Sequence, residues 1–168
     1  MTISDALTGT TTQVCQVLIR ASAQRIWDAI TTPEFTIRYF HGARVQTTGE
    51  TGTPFRYYAP DGTTLWGGEI IQEADPPHKL AVPLRSLYDA DMAAEPRSRG
   101  TWLIEEQGRG VCLPTAVHDR LENSPTTAKS IGGIGWLTVI DGLKTLLESG
   151  QPLFDADPPA RPEFQRDA

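Results

Sequence analysis

The chain contains no run approaching the ~20 consecutive apolar residues of a membrane helix, so membrane insertion is not expected. Cysteine is nearly absent: Cys15 and Cys112 stand far apart, each inside a strand-like run. No CxxC or Cys/His spacing accompanies them, which argues against a metal site and leaves two reduced, buried thiols as the expectation. Also missing are a Gly-x-Ser-x-Gly elbow, a phosphate-binding loop, a dinucleotide fingerprint and a His-Glu-x-x-His pair. No cofactor and no metal is therefore expected. Basic residues from Arg20 to Arg109 are scattered, and the net charge is −6, an acidic balance that repels phosphate backbones. Nucleic-acid binding is excluded on that ground. The opening, Met1 to Thr12, is Thr/Ser-rich with neither a basic start nor an apolar core. It reads as a flexible leader and not a secretory signal, which makes the cytoplasm the expected compartment.

What is present reads as one domain. A chain of 168 residues can bury roughly 70% of its unfolded surface, enough for a sizeable core. The last strongly patterned segment is the most telling: Trp136, Ile140, Leu143 and Leu147 recur at helical spacing, and Gly150 and Pro152 supply a stop. Before it, Gln13–Arg20 reads as a strand, Ser22 as the N-cap of a helix bearing Ile26, Trp27 and Ile30, and Pro33 as the first turn of a second short helix. Strands are expected over Ala43–Thr48, Pro54–Tyr58, Thr63–Ala74 and from Lys79 to Leu84, divided by Gly, Asp and Pro turn signals. Residues 86–97 form an irregular loop. Gly100–Glu106 and Val111–Leu121 make a hairpin around the four-residue loop Gln107–Gly110, and a final helix runs to about Ser149. Residues 151–168 read as a flexible, Pro-rich acidic tail. Segregated strands and helices imply α+β, and a six- or seven-stranded antiparallel sheet twists enough to curl around the last helix.

Trp27-Asp28-Ala29-Ile30-Thr31-Thr32-Pro33-Glu34 resembles a segment of START-like (SRPBCC) proteins, particularly the branch related to the C-terminal domain of the Hsp90 ATPase activator. Asp75-Pro76-Pro77 before Lys79-Leu80 resembles that branch's proline pair. Gly135-Trp136 and Gly142 through Gly150 resemble its terminal helix. The resemblance spans residues 13–150, taken as the domain, between the leader (1–12) and the tail (151–168). It implies a helix-grip fold: a curved six- to seven-stranded antiparallel sheet around a long C-terminal helix, two short helices after the first strand, and an apolar cavity between sheet and helix. The resemblance implies no single activity, since the superfamily includes lipid carriers, aromatase/cyclases, receptors and, in this branch, a stress-response activator. Arg38-Tyr39-Phe40, where the family often carries a tryptophan pair, and Pro114 within a strand depart from its pattern.

Candidate ligand-binding residues are Trp27, Tyr39, Phe40, Phe55, Tyr57, Trp102, His118, Trp136 and Ile140, because apolar walls with few polar groups make small-molecule pockets. Alternation along the last strand places Cys112, Pro114, Ala116 and His118 on one face, which the family comparison turns inward. His118, at the cavity rim, is the one catalytic candidate, since imidazole exchanges protons near neutral pH. His41 is expected at a cavity mouth. His78, Arg56, Glu69 and Asp141 are expected at the surface. The leading reading is binding of a small hydrophobic or aromatic ligand, by a monomer or homodimer. One alternative is a polyketide cyclase/aromatase-like or hydratase-like enzyme using the same cavity, and a second is an Hsp90-type co-chaperone or interaction module.

Overall fold

The computed structural model of the protein describes residues 12–154. The expected leader and tail lie outside the described residues except at their inner ends.

β1 (Gln13–Gln16) is followed by α1 (Ala23–Thr31) and α2 (Pro33–Tyr39). Ser22 starts α1 as expected, its Oγ accepting from the Arg25 N–H at 3.1 Å. Thr32 is extended ahead of Pro33, which sits in the first turn of α2. β2 (Arg44–Thr47), β3 (Pro54–Tyr58) and β4 (Leu65–Ile70) then form a three-stranded antiparallel sheet in chain order. β5 (Glu73–Asp75), β6 (Lys79–Leu84), β7 (Ser98–Gly108) and β8 (Val111–Asp119) complete a five-stranded antiparallel sheet ordered β1-β8-β7-β6-β5.

The single strand expected over Thr63–Ala74 is two strands in different sheets. The Ile71 N–H donates to Thr53 O at 2.8 Å, whereas the next N–H, of Gln72, donates to Ala81 O at 2.9 Å. The chain thus changes sheets across one peptide. The sheets meet again where Gly67 pairs with Ser86 and the Leu87 N–H donates to Trp66 O at 2.8 Å. Among the described residues the strands number eight, in a fold of the expected α+β, helix-grip class.

Two further expectations are corrected. Gly108 pairs with Val111, so the β7–β8 turn is not the four-residue loop but Arg109–Gly110, both with positive φ (57° and 77°). A two-residue turn of that kind matches the twist of its strands. The loop over 86–97 contains a short helix, α3 (Ala90–Ala94), started by the Asp89 carboxylate accepting from the Met92 N–H at 3.0 Å.

The final helix is also not one piece. α4 (Pro125–Ser130) leads through a wide turn (Ile131–Gly135), broken at Gly133, into α5 (Trp136–Ser149). α5 buries Val139, Ile140, Leu143, Leu146 and Leu147, a broader version of the expected stripe. Gly150 ends it in the left-handed region (φ 78°), where its N–H reaches Leu146 O at 2.9 Å. Lys144 Nζ donates to Leu18 O at 2.8 Å, and Glu148 accepts from the Arg20 N–H at 2.9 Å. Those bonds pin α5 to the chain leaving β1. Together α1, α2, α5 and the inner faces of both sheets share one apolar core.

Leu143 has no exposed surface and lies at the centre of the α5 contact. Leu143→Ala is expected to cost about 2–5 kcal/mol, read as a lower urea midpoint at unchanged slope. A loss below about 1 kcal/mol would mean that α5 does not carry the core.

Candidate functional site

Strand alternation and register build the site. On β7, Ser98, Gly100 and Trp102 point to the same face. Ser98 stands opposite Leu84, Gly100 between Val82 and His118, and Trp102 between Leu80 and Ala116. All of these residues border a cavity of about 120 Å³ between the sheet and the beginning of α5. Gly100 lets Leu84 pack close to β7 beside the histidine. A Cβ there would lie 2.7 Å from Leu84 Cδ1 and 3.6 Å from His118 Nε2.

Aromatic rings form the apolar part of the wall. Trp136, the first residue of α5, meets His118 at a ring-centroid distance of 4.3 Å, and Trp102 and Phe40 at 5.7 Å each. Phe40 stacks on Tyr57 at 4.5 Å with the rings 5° from parallel, and Phe55 meets Tyr57 at 5.2 Å. The segment between β6 and β7 adds Tyr88, which packs on Trp66 at 5.7 Å, and Met92. Glu95 fastens this segment to α4. Its carboxylate accepts from the N–H groups of Thr126 and Thr127, both at 2.8 Å, and from Thr127 Oγ1 at 2.7 Å. A carboxylate at a helix N-terminus satisfies orphan donors and meets the positive end of the dipole. Ser124 Oγ adds a bond to Pro96 O at 3.0 Å.

Polar groups in the wall are few and incompletely satisfied. Among the described residues, Arg85 Nε, Ser98 Oγ and His118 Nε2 are buried without a hydrogen-bond partner, and all three residues border the cavity. Folded proteins leave few such atoms, and each needs a physical reason. His118 is only 3% exposed; burial lowers its pKa to about 4, against a smaller opposing effect of Asp119. It is a neutral imidazole at pH 7. Burial raises the Tyr57 phenol well above its ordinary range.

Of the nine residues expected at a ligand site, Phe40, Phe55, Tyr57, Trp102, His118 and Trp136 border the cavity. Trp27, Tyr39 and Ile140 do not; they belong to the core. Tyr39 Oη donates to Ala29 O at 2.8 Å and is a structural tyrosine. His118 is deep in the wall and not at its rim, because Trp136 packs over it. The cavity does not lie between Trp102 and Trp136, whose rings touch, but beside them. His41 also borders it. His78 faces solvent beside Glu106 (3.2 Å), and Arg56 and Asp141 are exposed. Glu69, expected at the surface, is half-buried and pairs with Arg97. Sequence reasoning missed Arg85, Ser98, Gly100, Trp66 and Tyr88. Alternation back from Trp102 was a usable signal for Gly100 and Ser98; no comparable pattern marked Arg85 or Tyr88.

Residues 20–148 match the family described as Activator of Hsp90 ATPase homolog 1-like protein. No curated protein matches the chain. Solved structures share the fold at low identity. The Aha1 dimer of Colwellia psychrerythraea superposes with a TM-score of 0.64 at 13% identity, covering 84% of this chain and 98% of that one. CalU16 of Micromonospora echinospora gives 0.61 at 17%, covering 83% and 77%. An HSP90 activator from Plasmodium falciparum gives 0.59 at 13%, covering 82% and 94%.

The low pKa of His118 has a signed consequence. With an ordinary value of 6.5 and a folded value of about 4, the unfolded chain takes up this proton first as pH falls. Its contribution is complete above pH 6.5 and is lost as pH falls from 6.5 to about 4, amounting to about 3 kcal/mol. Urea unfolding at pH 7.5 and 4 should show this component in the wild type and not in His118→Gln. A His118 imidazole titrating near 6.5 by NMR would contradict it.

Proposed function

The chain belongs to the Activator of Hsp90 ATPase homolog 1-like family, and we propose that within this fold it binds a small, flat, largely apolar molecule in the cavity beside Trp102 and Trp136. The observation that carries the reading is the composition of the wall. Aromatic rings and aliphatic side chains line it together, and a few buried polar atoms without internal partners stand among them. Burying ligand surface against the rings contributes roughly 25 cal/mol per Å², and the polar atoms fix orientation. The volume of about 120 Å³ suits a single ring and not fused rings or a long acyl chain.

An enzyme of the cyclase/aromatase or hydratase kind would use the same cavity, and the convergence of Ser98 and His118 is the feature in its favour. Two observations weigh against it. Ser98 Oγ and His118 Nε2 are each unpartnered, so the histidine does not activate the hydroxyl. An imidazole with a pKa near 4 is also a weak base at neutral pH. A co-chaperone role finds support in the likeness to an HSP90 activator, but that likeness is one of fold.

Nitrobenzene, uncharged and a quencher of tryptophan fluorescence, is a suitable single-ring probe. It should quench tryptophan fluorescence saturably, and Ala116→Leu, which adds bulk to the wall opposite Trp102, should weaken the effect at least tenfold, about 1.4 kcal/mol. Quenching that does not saturate, or is indifferent to Ala116→Leu, would refute the cavity as a binding site. His118→Ala should alter affinity; a turnover that vanishes in that variant would instead establish the enzyme reading.

A further inference from the structure

We infer that the cavity takes a compact aromatic carboxylic acid, its carboxylate meeting Arg85 and Ser98 and its ring lying against Trp102 and Trp136. The inference rests on the cavity being a ligand site.

Charge distribution is the first argument. The chain carries 21 acidic and 15 basic residues, yet the residues bordering the cavity include Arg85 and neither Asp nor Glu. In a protein of net charge −6, this wall is locally positive. Arg85 also differs from the arginines near it. Arg97 pairs with Glu69 and Arg99 with Asp119, whereas Arg85 has no carboxylate partner among the described residues. Its Nε is buried with no acceptor. A desolvated guanidinium N–H without an acceptor is costly, and an anion both supplies the acceptor and balances the charge.

Position is the second argument. Arg85 follows Leu84, which pairs with Ser98, so the backbones of Arg85 and Ser98 lie at the same end of the β6–β7 pair, and both residues border the cavity. Ser98 is 1% exposed with an unpartnered hydroxyl, ready to donate to the same anion. Trp102 lies four residues along β7 from Ser98, roughly 13 Å away along the strand. Arg85 and Ser98 thus stand at one end of the site, beside the Trp66–Tyr88 pair, and Trp102, Trp136 and the neutral His118 at the other. A ligand matching that layout carries a single acidic group on an apolar ring.

Group geometry separates carboxylate from phosphate. A guanidinium meets a carboxylate in a planar, two-bonded fork, and one arginine with one hydroxyl satisfies a monoanion. A phosphate dianion calls for more donors. The nearby source of such donors, the N-terminus of α4, is already occupied by Glu95.

The test compares benzoic acid with benzamide, similar in shape but differing in charge, by calorimetry on the full chain at pH 7.5. The wild type should bind the acid at least tenfold more tightly than the amide. Arg85→Met should erase that preference while shifting amide affinity less than threefold, and Arg85→Lys should keep part of it. Equal affinity for acid and amide in the wild type, or a preference surviving Arg85→Met, would overturn the carboxylate assignment and leave the cavity reading standing. Failure of both compounds to bind would overturn the two together. Should Arg85→Met fail to fold, the wild-type ratio and Arg85→Lys decide.

Discussion

The packing of Trp136 is the contact on which the site depends. This ring stands at the point where the last helix begins, and it touches His118 on β8, Trp102 on β7 and Phe40 after α2. It thereby ties the helix to the five-stranded sheet and to the segment leading into the three-stranded one. The rest of α5 is held by its own apolar stripe and by Lys144 and Glu148 gripping the chain after β1. With both ends of the helix located, its separation from the sheet is set by the large rings. Beside those rings, along the inner face from Ser98 to Trp102 and Ala116, space remains, and that space is the cavity.

Two opposing physical requirements meet there. The core excludes water and favours close packing. The cavity wall nonetheless contains a neutral imidazole, a hydroxyl and a guanidinium nitrogen without internal partners. Such groups are a standing cost unless something from outside satisfies them. Elsewhere the chain avoids this cost: the Tyr39 hydroxyl finds Ala29 O, Thr36 Oγ1 accepts from the Val45 N–H, and Glu95 satisfies the start of α4. The exceptions gather on one wall, which is the pattern of a binding site and not of diffuse strain.

The fold was largely legible in the sequence because its signals are periodic. The α5 stripe and the common face of Cys112, Pro114, Ala116 and His118 follow from spacings of 3.6 and 2 residues, and the family resemblance turned that strand face inward. Neither signal says whether an inward face meets another side chain or a space. That is why Trp27, Tyr39 and Ile140, all inward, belong to the core while Phe40 and Trp102 border the cavity. The change of sheet at Ile71–Gln72 and the break at Gly133 were not legible, since both depend on which distant backbone groups are free to pair. Arg85 and Tyr88 sit where the chain leaves a strand for an irregular segment. No repeat there marks an orientation, and the residue supplying the cavity's charge was accordingly invisible.

The central claim is that the unpartnered atoms of this wall are completed by a bound molecule. A high-resolution crystal structure of the protein as purified, with nothing added, tests it most directly. The account predicts a cavity beside Trp102 and Trp136 that contains a non-protein molecule within hydrogen-bond distance of Ser98 Oγ, His118 Nε2 or Arg85 Nε. A wall collapsed onto itself, with those three atoms bonded to other protein groups and no space left beside Trp102 and Trp136, would contradict it.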